Sequence, residues 1–133
     1  MIIDTSAVLA ILNNEPEARV FALIIEQSAY NRISAANYVE AGAIIDRSED
    51  PVASRRLDEL IKIGKISIES VTETQAMIAR HAYRDFGKGS GHRAGLNFGD
   101  CFAYALAKEL NEPLLFKGND FSKTDIERAI PTK

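Results

Sequence analysis

The chain opens with apolar positions that run directly into an acid. Ile2 and Ile3 predict a short buried strand that ends at Asp4, and the apolar run behind it has helical spacing. That spacing predicts a helix from about Ser6, capped by Thr5 or Ser6. An acid at the carboxyl end of a buried strand is costly to desolvate unless something pairs with it. Asp4 is therefore interpreted either as a ligand for a cation or as the polar end of a central strand.

The pattern along the rest of the chain predicts strands that alternate with helices. The predicted helices cover 16–28, 36–47, 51–64, 73–86 and 97–110, and the predicted strands cover 31–35, 65–71 and 114–116. A short helix or turn is predicted for 121–125, and an edge strand for 126–130. This alternation predicts an α/β fold with three layers, α/β/α, and a central parallel sheet of four or five strands. The length of 133 residues predicts one domain over 1–133.

Composition narrows the classes of protein that the chain can belong to. An apolar fraction of 46% and a charged fraction of 26% are typical of a globular protein, and no apolar run approaches the ~20 residues of a membrane span. The start of the chain has no basic leader, and a single cysteine excludes an internal disulfide, so a reducing cytoplasm is expected. Two histidines are too few for a histidine-based zinc site. A net charge of −3 argues against nucleic-acid binding through global charge, although not against a local basic patch.

Four acids occupy related places in the predicted fold. Asp4 and Asp120 follow two predicted strands, Asp100 lies near the start of a helix, and Glu40 lies on a helix that leaves the same sheet edge. Without a cation such carboxylates repel one another and retain protons. Mg²⁺ or Mn²⁺ takes oxygen ligands and keeps waters for a phosphate and an attacking hydroxide. The alternative for each acid is a helix cap or a solvated helix face.

Hydroxyl and basic residues near these acids are candidates for supporting roles. Thr5 or Ser6 is placed to hold a metal-bound water or a phosphate oxygen. The glycine-rich loop 87–95 is basic and is predicted either to follow RNA phosphates or to be a flexible surface loop. Lys117 is predicted either to meet a phosphate or to form a structural ion pair. The candidate RNA contacts are Lys88, His92, Arg93 and Lys117.

Four short motifs occur in a fixed order along the chain. They are Ile3-Asp4-Thr5-Ser6-Ala7, Glu40 on the third helix, Asn97-Phe98-Gly99-Asp100-Cys101, and Gly118-Asn119-Asp120-Phe121. In this order and at these spacings, the chain resembles a PIN-domain ribonuclease over essentially its whole length. It is most similar to the VapC toxins of bacterial toxin–antitoxin pairs.

The resemblance implies an endoribonuclease that hydrolyses RNA phosphodiester bonds with Mg²⁺ or Mn²⁺. It implies that the metal and the catalytic site belong to Asp4, Glu40, Asp100 and Asp120. It also implies a homodimer and inhibition by a cognate antitoxin of the VapB type.

Two other functions compete with this interpretation. The first is a haloacid-dehalogenase-like phosphatase with Asp4 as nucleophile, supported by Lys117 and Asp120. That family usually has a second Asp two residues after the nucleophile, where this chain has Ser6. The second is a non-catalytic domain that binds the antitoxin and keeps its acids for cation binding alone.

Overall fold

The computed structural model describes residues 1–130, in which a parallel four-stranded sheet lies between two layers of helices. Residues 131–133 of the predicted domain lie outside the described residues. The strands are β1 (Ile2–Ile3), β2 (Asn31–Ser34), β3 (Ile66–Glu69) and β4 (Leu114–Leu115). The helices are α1 (Thr5–Leu12), α2 (Ala18–Gln27), α3 (Ala35–Asp46), α4 (Pro51–Ile63), α5 (Glu73–Phe86) and α6 (Phe98–Leu110), and a 3₁₀ turn spans Phe121–Lys123.

The strand order places the first strand of the chain inside the sheet. The order is β3-β2-β1-β4, and each neighbouring pair is parallel. Because parallel strands end at the same sheet edge, the segments that follow β1, β2 and β4 emerge side by side. This is the edge at which open α/β sheets bind ligands.

Alternation along two short strands divides the core between the two faces of the sheet. Ile3 and Leu115 pack with the helices α1 to α4, whereas Ile2 and Leu114 pack with α5 and α6. All four of these side chains are buried. The three-layer α/β/α arrangement with a parallel sheet is therefore confirmed.

The prediction that Thr5 or Ser6 caps the first helix is wrong. Asp4 is the N-cap: its backbone is extended, and its carboxylate accepts from the Ser6 N–H at 3.0 Å. Aspartate is a strong N-cap because a side-chain oxygen satisfies an unpaired N–H of the first turn. The helix therefore begins one residue earlier than predicted, at Thr5.

Two further predictions are corrected at the ends of elements. The second helix begins at Ala18 rather than at residue 16, because Pro16 and Glu17 form a turn before it. The predicted edge strand over 126–130 is reduced to a single parallel bridge between Leu114 and Arg128. Within the described residues the sheet therefore has four strands. No helix in the part of the chain that the structure describes is long and apolar enough to cross a membrane.

Candidate active site

Asp4 lies at the carboxyl end of β1 and is buried. Its Oδ2 accepts from the N–H of Ser6 at 3.0 Å and from the Ser6 hydroxyl at 2.6 Å. The Ser6 hydroxyl in turn accepts from the Lys117 N–H at 3.0 Å, which ties α1 to the segment after β4. Asp4 Oδ1 is buried and has no hydrogen-bond partner among the described residues. Leaving a buried carboxylate oxygen unpaired costs free energy, and a bound cation would remove that cost. Oδ1 is therefore a candidate ligand atom.

The Thr5 side chain, next to Asp4 in the sequence, holds the carboxylate of Glu40. The Thr5 hydroxyl donates to Glu40 Oε1 at 2.5 Å, so α1 holds one oxygen of an acid that belongs to α3. The two hydroxyl residues that follow Asp4 thus contact acids directly: Thr5 holds Glu40 and Ser6 holds Asp4. Both hydroxyl groups donate hydrogen bonds to carboxylates. The sequence instead predicts contacts with a metal-bound water or a phosphate oxygen.

Two residues to which the sequence analysis gave no role of their own complete this part of the site. Asn37 is fully buried on α3, and its amide donates to the Gly99 carbonyl at 3.0 Å. Gly99 lies so close to Glu40 that a Cβ at this position would be 2.2 Å from Oε2. The signal for Asn37 was its place one helical turn before Glu40, and the signal for Gly99 was its place directly before Asp100.

Asp100 is held by a reciprocal capping box at the start of α6. The Asp100 N–H donates to Asn97 Oδ1 at 2.8 Å, and the Asn97 N–H donates to Asp100 Oδ2 at 2.9 Å. This arrangement satisfies two N–H groups of the first turn and fixes the carboxylate. The sequence prediction that this motif opens a helix is confirmed.

The acids influence one another electrostatically. Burial raises the pKa of Asp4 to about 7, with smaller contributions from the Asp100 and Glu40 carboxylates and against the opposing hydrogen bonds from Ser6. Burial also raises the pKa of Asp100 to about 6, with contributions from Asp120 and Glu40. A bound cation would stabilise the charged forms of Asp4 and Asp100, whose pKa values burial and the neighbouring acids raise.

Asp120 is the exposed member of the group. It precedes the 3₁₀ turn, and its side chain caps no N–H there. The turn that leads to it requires Gly118, whose φ of +96° is strained for any residue with a side chain. Arg128 supports the same turn, because its guanidinium donates to the Gly118 carbonyl at 2.6 Å and lies 4.1 Å from the Phe116 ring centroid.

The chemistry of the donor set suits a divalent metal. Carboxylate and hydroxyl oxygens are the donors that Mg²⁺ and Mn²⁺ prefer, and the unpartnered Asp4 Oδ1 supplies a free ligand atom. Among residues 1–130, however, no three His, Cys, Asp or Glu side chains are gathered closely enough to share one ion as they stand. The acids lie at one sheet edge, and Ser6, Thr5 and Asn97 hold one oxygen each of Asp4, Glu40 and Asp100. The chemistry of these residues therefore fits a cation, although their side chains are not gathered around one point.

The glycine-rich loop lies beside these acids. Its ends are joined by backbone hydrogen bonds, from Lys88 N–H to the Leu96 carbonyl at 2.9 Å and from Leu96 N–H to the Phe86 carbonyl at 2.8 Å. Lys88 is exposed and lowers the pKa of Asp100 through its charge, against the larger effect of burial. Arg93 is also exposed.

His92 and Lys117 have structural partners. His92 Nδ1 accepts from the Ala94 N–H at 3.0 Å, and its ring packs edge-on against Phe86 at 4.9 Å between centroids. The Lys117 ammonium pairs with Glu15 and lies 3.4 Å from Glu17. Of the two predictions for Lys117, the structural ion pair is the one that the structure shows.

Other concave or reactive features lie apart from the acids or are inert. A groove of about 600 Å³ runs between α2 and α4 and includes Asn31 and Lys65, at the amino ends of β2 and β3. It therefore lies at the sheet edge opposite to the acids.

The Cys101 thiol is buried, and burial raises its pKa to about 11, so the thiol stays protonated.

Comparison with known proteins assigns the chain to a family. The family model of the PIN domain matches residues 1–127. Ribonuclease VapC28 of Mycobacterium tuberculosis is 55% identical over 130 residues, which cover 98% of this chain and 98% of the relative. The chain belongs to the VapC ribonucleases of the PIN-domain family. The predicted family is thereby confirmed, and the haloacid-dehalogenase-like and non-catalytic alternatives are not supported.

Solved structures of such proteins have the same fold. Mycobacterium tuberculosis VapC20, described as a sarcin-ricin loop cleaving toxin, superposes with a TM-score of 0.73 at 15% identity over 98% of both chains. A toxin–antitoxin complex from Klebsiella pneumoniae superposes with a TM-score of 0.68 at 15% identity, covering 91% of this chain and 89% of the other. At this identity the likeness supports the PIN-domain fold.

Proposed function

We propose that this VapC-family protein is a toxic endoribonuclease that hydrolyses RNA phosphodiester bonds. The proposed catalytic site lies at the carboxyl edge of the sheet and consists of Asp4, Glu40, Asp100 and Asp120. The observation that carries the proposal is the buried Asp4 Oδ1, which has no hydrogen-bond partner within residues 1–130 and lies beside carboxylates that raise the pKa of Asp4. We also infer that the PIN domain is a single unit over residues 1–133, supported by the match over 1–127.

In this proposal Asp4, Glu40, Asp100 and Asp120 would hold Mg²⁺ or Mn²⁺. The chemistry that a bound metal would supply is activation of a water and stabilisation of charge on the phosphate. The chain's own residues prepare this site. Ser6 and Thr5 orient the Asp4 and Glu40 carboxylates, and the capping box fixes Asp100. Because burial raises the pKa of Asp4 to about 7, binding of a cation is expected to release protons from this carboxyl group near neutral pH.

The partners of the proposed enzyme follow from its family. An antitoxin of the VapB type inhibits it, since a structural neighbour is a toxin–antitoxin complex and the relatives are VapC ribonucleases. Lys88 and Arg93 contact the RNA backbone next to the acids. His92 instead supports the protein backbone at Ala94, and Lys117 supports the connection between α1 and α2. We further propose that the protein works as a homodimer in the cytoplasm, where its RNA substrate is found.

The test is cleavage of total RNA and defined RNA hairpins by purified protein with Mg²⁺, with Mn²⁺ or with EDTA. Cleavage is expected with either metal and is expected to vanish with EDTA and in Asp4→Asn and Asp100→Asn. Asp50→Asn is the matched control, because Asp50 is also an N-cap, accepting from Val52 N–H at 3.0 Å on α4. EDTA-resistant cleavage, or full activity of folded Asp4→Asn, would contradict the proposal.

A further inference from the structure

Asn37 is placed to organise the acids without being one of them. It is fully buried and lies one helical turn before Glu40 on α3. Its Nδ2 donates to the Gly99 carbonyl at 3.0 Å and to the Thr5 hydroxyl oxygen at 3.2 Å, and lies 3.5 Å from Glu40 Oε1. One amide therefore connects α1, which follows Asp4, with α3, which carries Glu40, and α6, which carries Asp100.

The orientation of this amide is determined by its neighbours. The Gly99 carbonyl and the Glu40 carboxylate only accept hydrogen bonds, so the NH₂ group of Asn37 must face them. Asn37 Oδ1 points away and has no hydrogen-bond partner among the described residues. The hydrogen bonds of this side chain are therefore made by its NH₂ group alone.

The Asn37 amide also determines which way the Thr5 hydroxyl points. That hydroxyl has a single proton, and two acceptors compete for it: Glu40 Oε1 at 2.5 Å and the Asn37 backbone carbonyl at 3.3 Å. Donation from Asn37 Nδ2 occupies a lone pair of the hydroxyl oxygen at 3.2 Å and leaves its proton for Glu40. The amide and the hydroxyl thus form a chain of donors that ends on the carboxylate.

We propose that Asn37 is a positioning residue for the acid site, which holds the Glu40 carboxylate in place for the metal by orienting the Thr5 hydroxyl and anchoring Gly99. The inference rests on the proposed function, because it assigns Glu40 to the metal. Residues that orient ligands in this way typically contribute about 10–100-fold to metal affinity or activity. Asn37 touches neither RNA nor metal in this role, so its effect is on Mn²⁺ affinity and kcat and not on RNA affinity.

The experiment measures Mn²⁺ affinity by calorimetry, RNA affinity in EDTA, and kcat and KM with Mn²⁺, for wild type and Asn37→Ala. We expect Asn37→Ala to bind Mn²⁺ about tenfold or more weakly and to lose kcat by a similar factor, with RNA affinity in EDTA unchanged. Asn37→Asp has the same shape but replaces the donor with an acceptor, so we expect a larger loss. Thr5→Val, which removes the hydroxyl that Asn37 orients, serves as the test if Asn37→Ala does not fold, and it is expected to weaken Mn²⁺ binding by a similar factor.

Asn31 provides a matched control inside the same protein. It is buried, its Nδ2 donates to the Ile25 and Gly64 carbonyls at 3.0 Å each, and its Oδ1 also has no partner among the described residues. It lies at the opposite end of β2, away from the acids. Asn31→Ala is expected to lower the melting temperature as much as Asn37→Ala does, with Mn²⁺ affinity unchanged.

A double-mutant cycle tests the route through Thr5. If Asn37 acts on Glu40 through the hydroxyl, Asn37→Ala costs less Mn²⁺ affinity in a Thr5→Val background than in wild type. Wild-type Mn²⁺ affinity in folded Asn37→Ala and Asn37→Asp, or an equal loss in Asn31→Ala, would overturn the inference. A wild-type protein that binds no Mn²⁺ and cleaves RNA in EDTA would instead overturn the proposed function.

Discussion

The carboxylate of Glu40 lies directly against the backbone of Gly99, although the two residues belong to different helices. A Cβ at Gly99 would lie 2.2 Å from Glu40 Oε2 and 2.6 Å from Oε1. Gly99 therefore makes room for the acid at the amino-terminal end of α6, where the helix dipole favours a negative charge. Its lack of a side chain is a requirement of the site and not of the helix, since glycine is unfavourable in a helix.

Gly99→Ala is predicted to separate activity from stability. The added methyl group displaces the flexible end of Glu40, so we expect RNA cleavage to fall about tenfold or more. The free energy of unfolding should change by less than about 1 kcal/mol, because alanine favours the helix. Gly42→Ala on α3 is the control, since its Cβ would lie 3.8 Å from Leu57 Cδ2 in ordinary contact. Unchanged cleavage in Gly99→Ala would show that the Glu40 position is unimportant.

The pKa of Asp4 predicts how stability depends on pH in the metal-free protein. The folded-state pKa of about 7 lies above the ordinary aspartate pKa of 3.8, so the folded state binds the proton more tightly. The contribution of Asp4 is therefore most favourable below about pH 4 and is lost as the pH rises through 7.

Asp4→Asn is consequently expected to be more stable than wild type in EDTA at about pH 8, by up to about 4 kcal/mol. The difference should shrink as the pH falls and be smallest below about pH 4, where Asp4 becomes neutral in the unfolded protein as well as in the folded protein. Urea unfolding across this range measures it, with Asp50→Asn as the control at an exposed N-cap. A destabilised Asp4→Asn at high pH would mean that burial does not disfavour the Asp4 carboxylate.

The basic loop should contribute to RNA binding by neutralising phosphates. Replacing Lys88 and Arg93 with alanine is predicted to weaken RNA binding and to reduce the salt slope by about one unit for each phosphate that is no longer neutralised. Mn²⁺ affinity should hardly change. Arg55→Ala with Lys62→Ala is the control, because these residues of α4 are also exposed. An unaltered salt slope in the loop variant would mean that the loop makes no contact with RNA phosphates.

Inhibition by the antitoxin is predicted to involve a cation at the acids. Arginine suits this role because its planar guanidinium meets a carboxylate with two hydrogen bonds and keeps its charge. Removing one basic antitoxin side chain should restore Mn²⁺ binding and cleavage while toxin and antitoxin remain associated. Calorimetry and cleavage assays on the intact complex measure this. Full inhibition in a complex whose basic antitoxin groups all lie far from Asp4 would indicate blocked RNA access instead.

Local patterns in the sequence were enough to predict the framework of the site. The strand that ends at Asp4, the capping motif from Asn97 to Asp100 and the alternation of strands with helices all depend on residues within a few positions of one another. Hydrogen bonds between positions three apart and the two-residue period of a strand leave a direct mark on the sequence. Parallel pairing then brings the strand ends to one edge.

Tertiary packing decided how the acids are held. Thr5 meets Glu40 across 35 positions, and Asn37 meets Gly99 across 62. No periodicity records such contacts, because they depend on how α1, α3 and α6 pack together. The same reason explains why Lys117 pairs with Glu15, 102 positions away, rather than with the acids. The sequence alone determined which carboxylates reach the edge of the sheet, and only the packing of the helices determined which neighbours orient them.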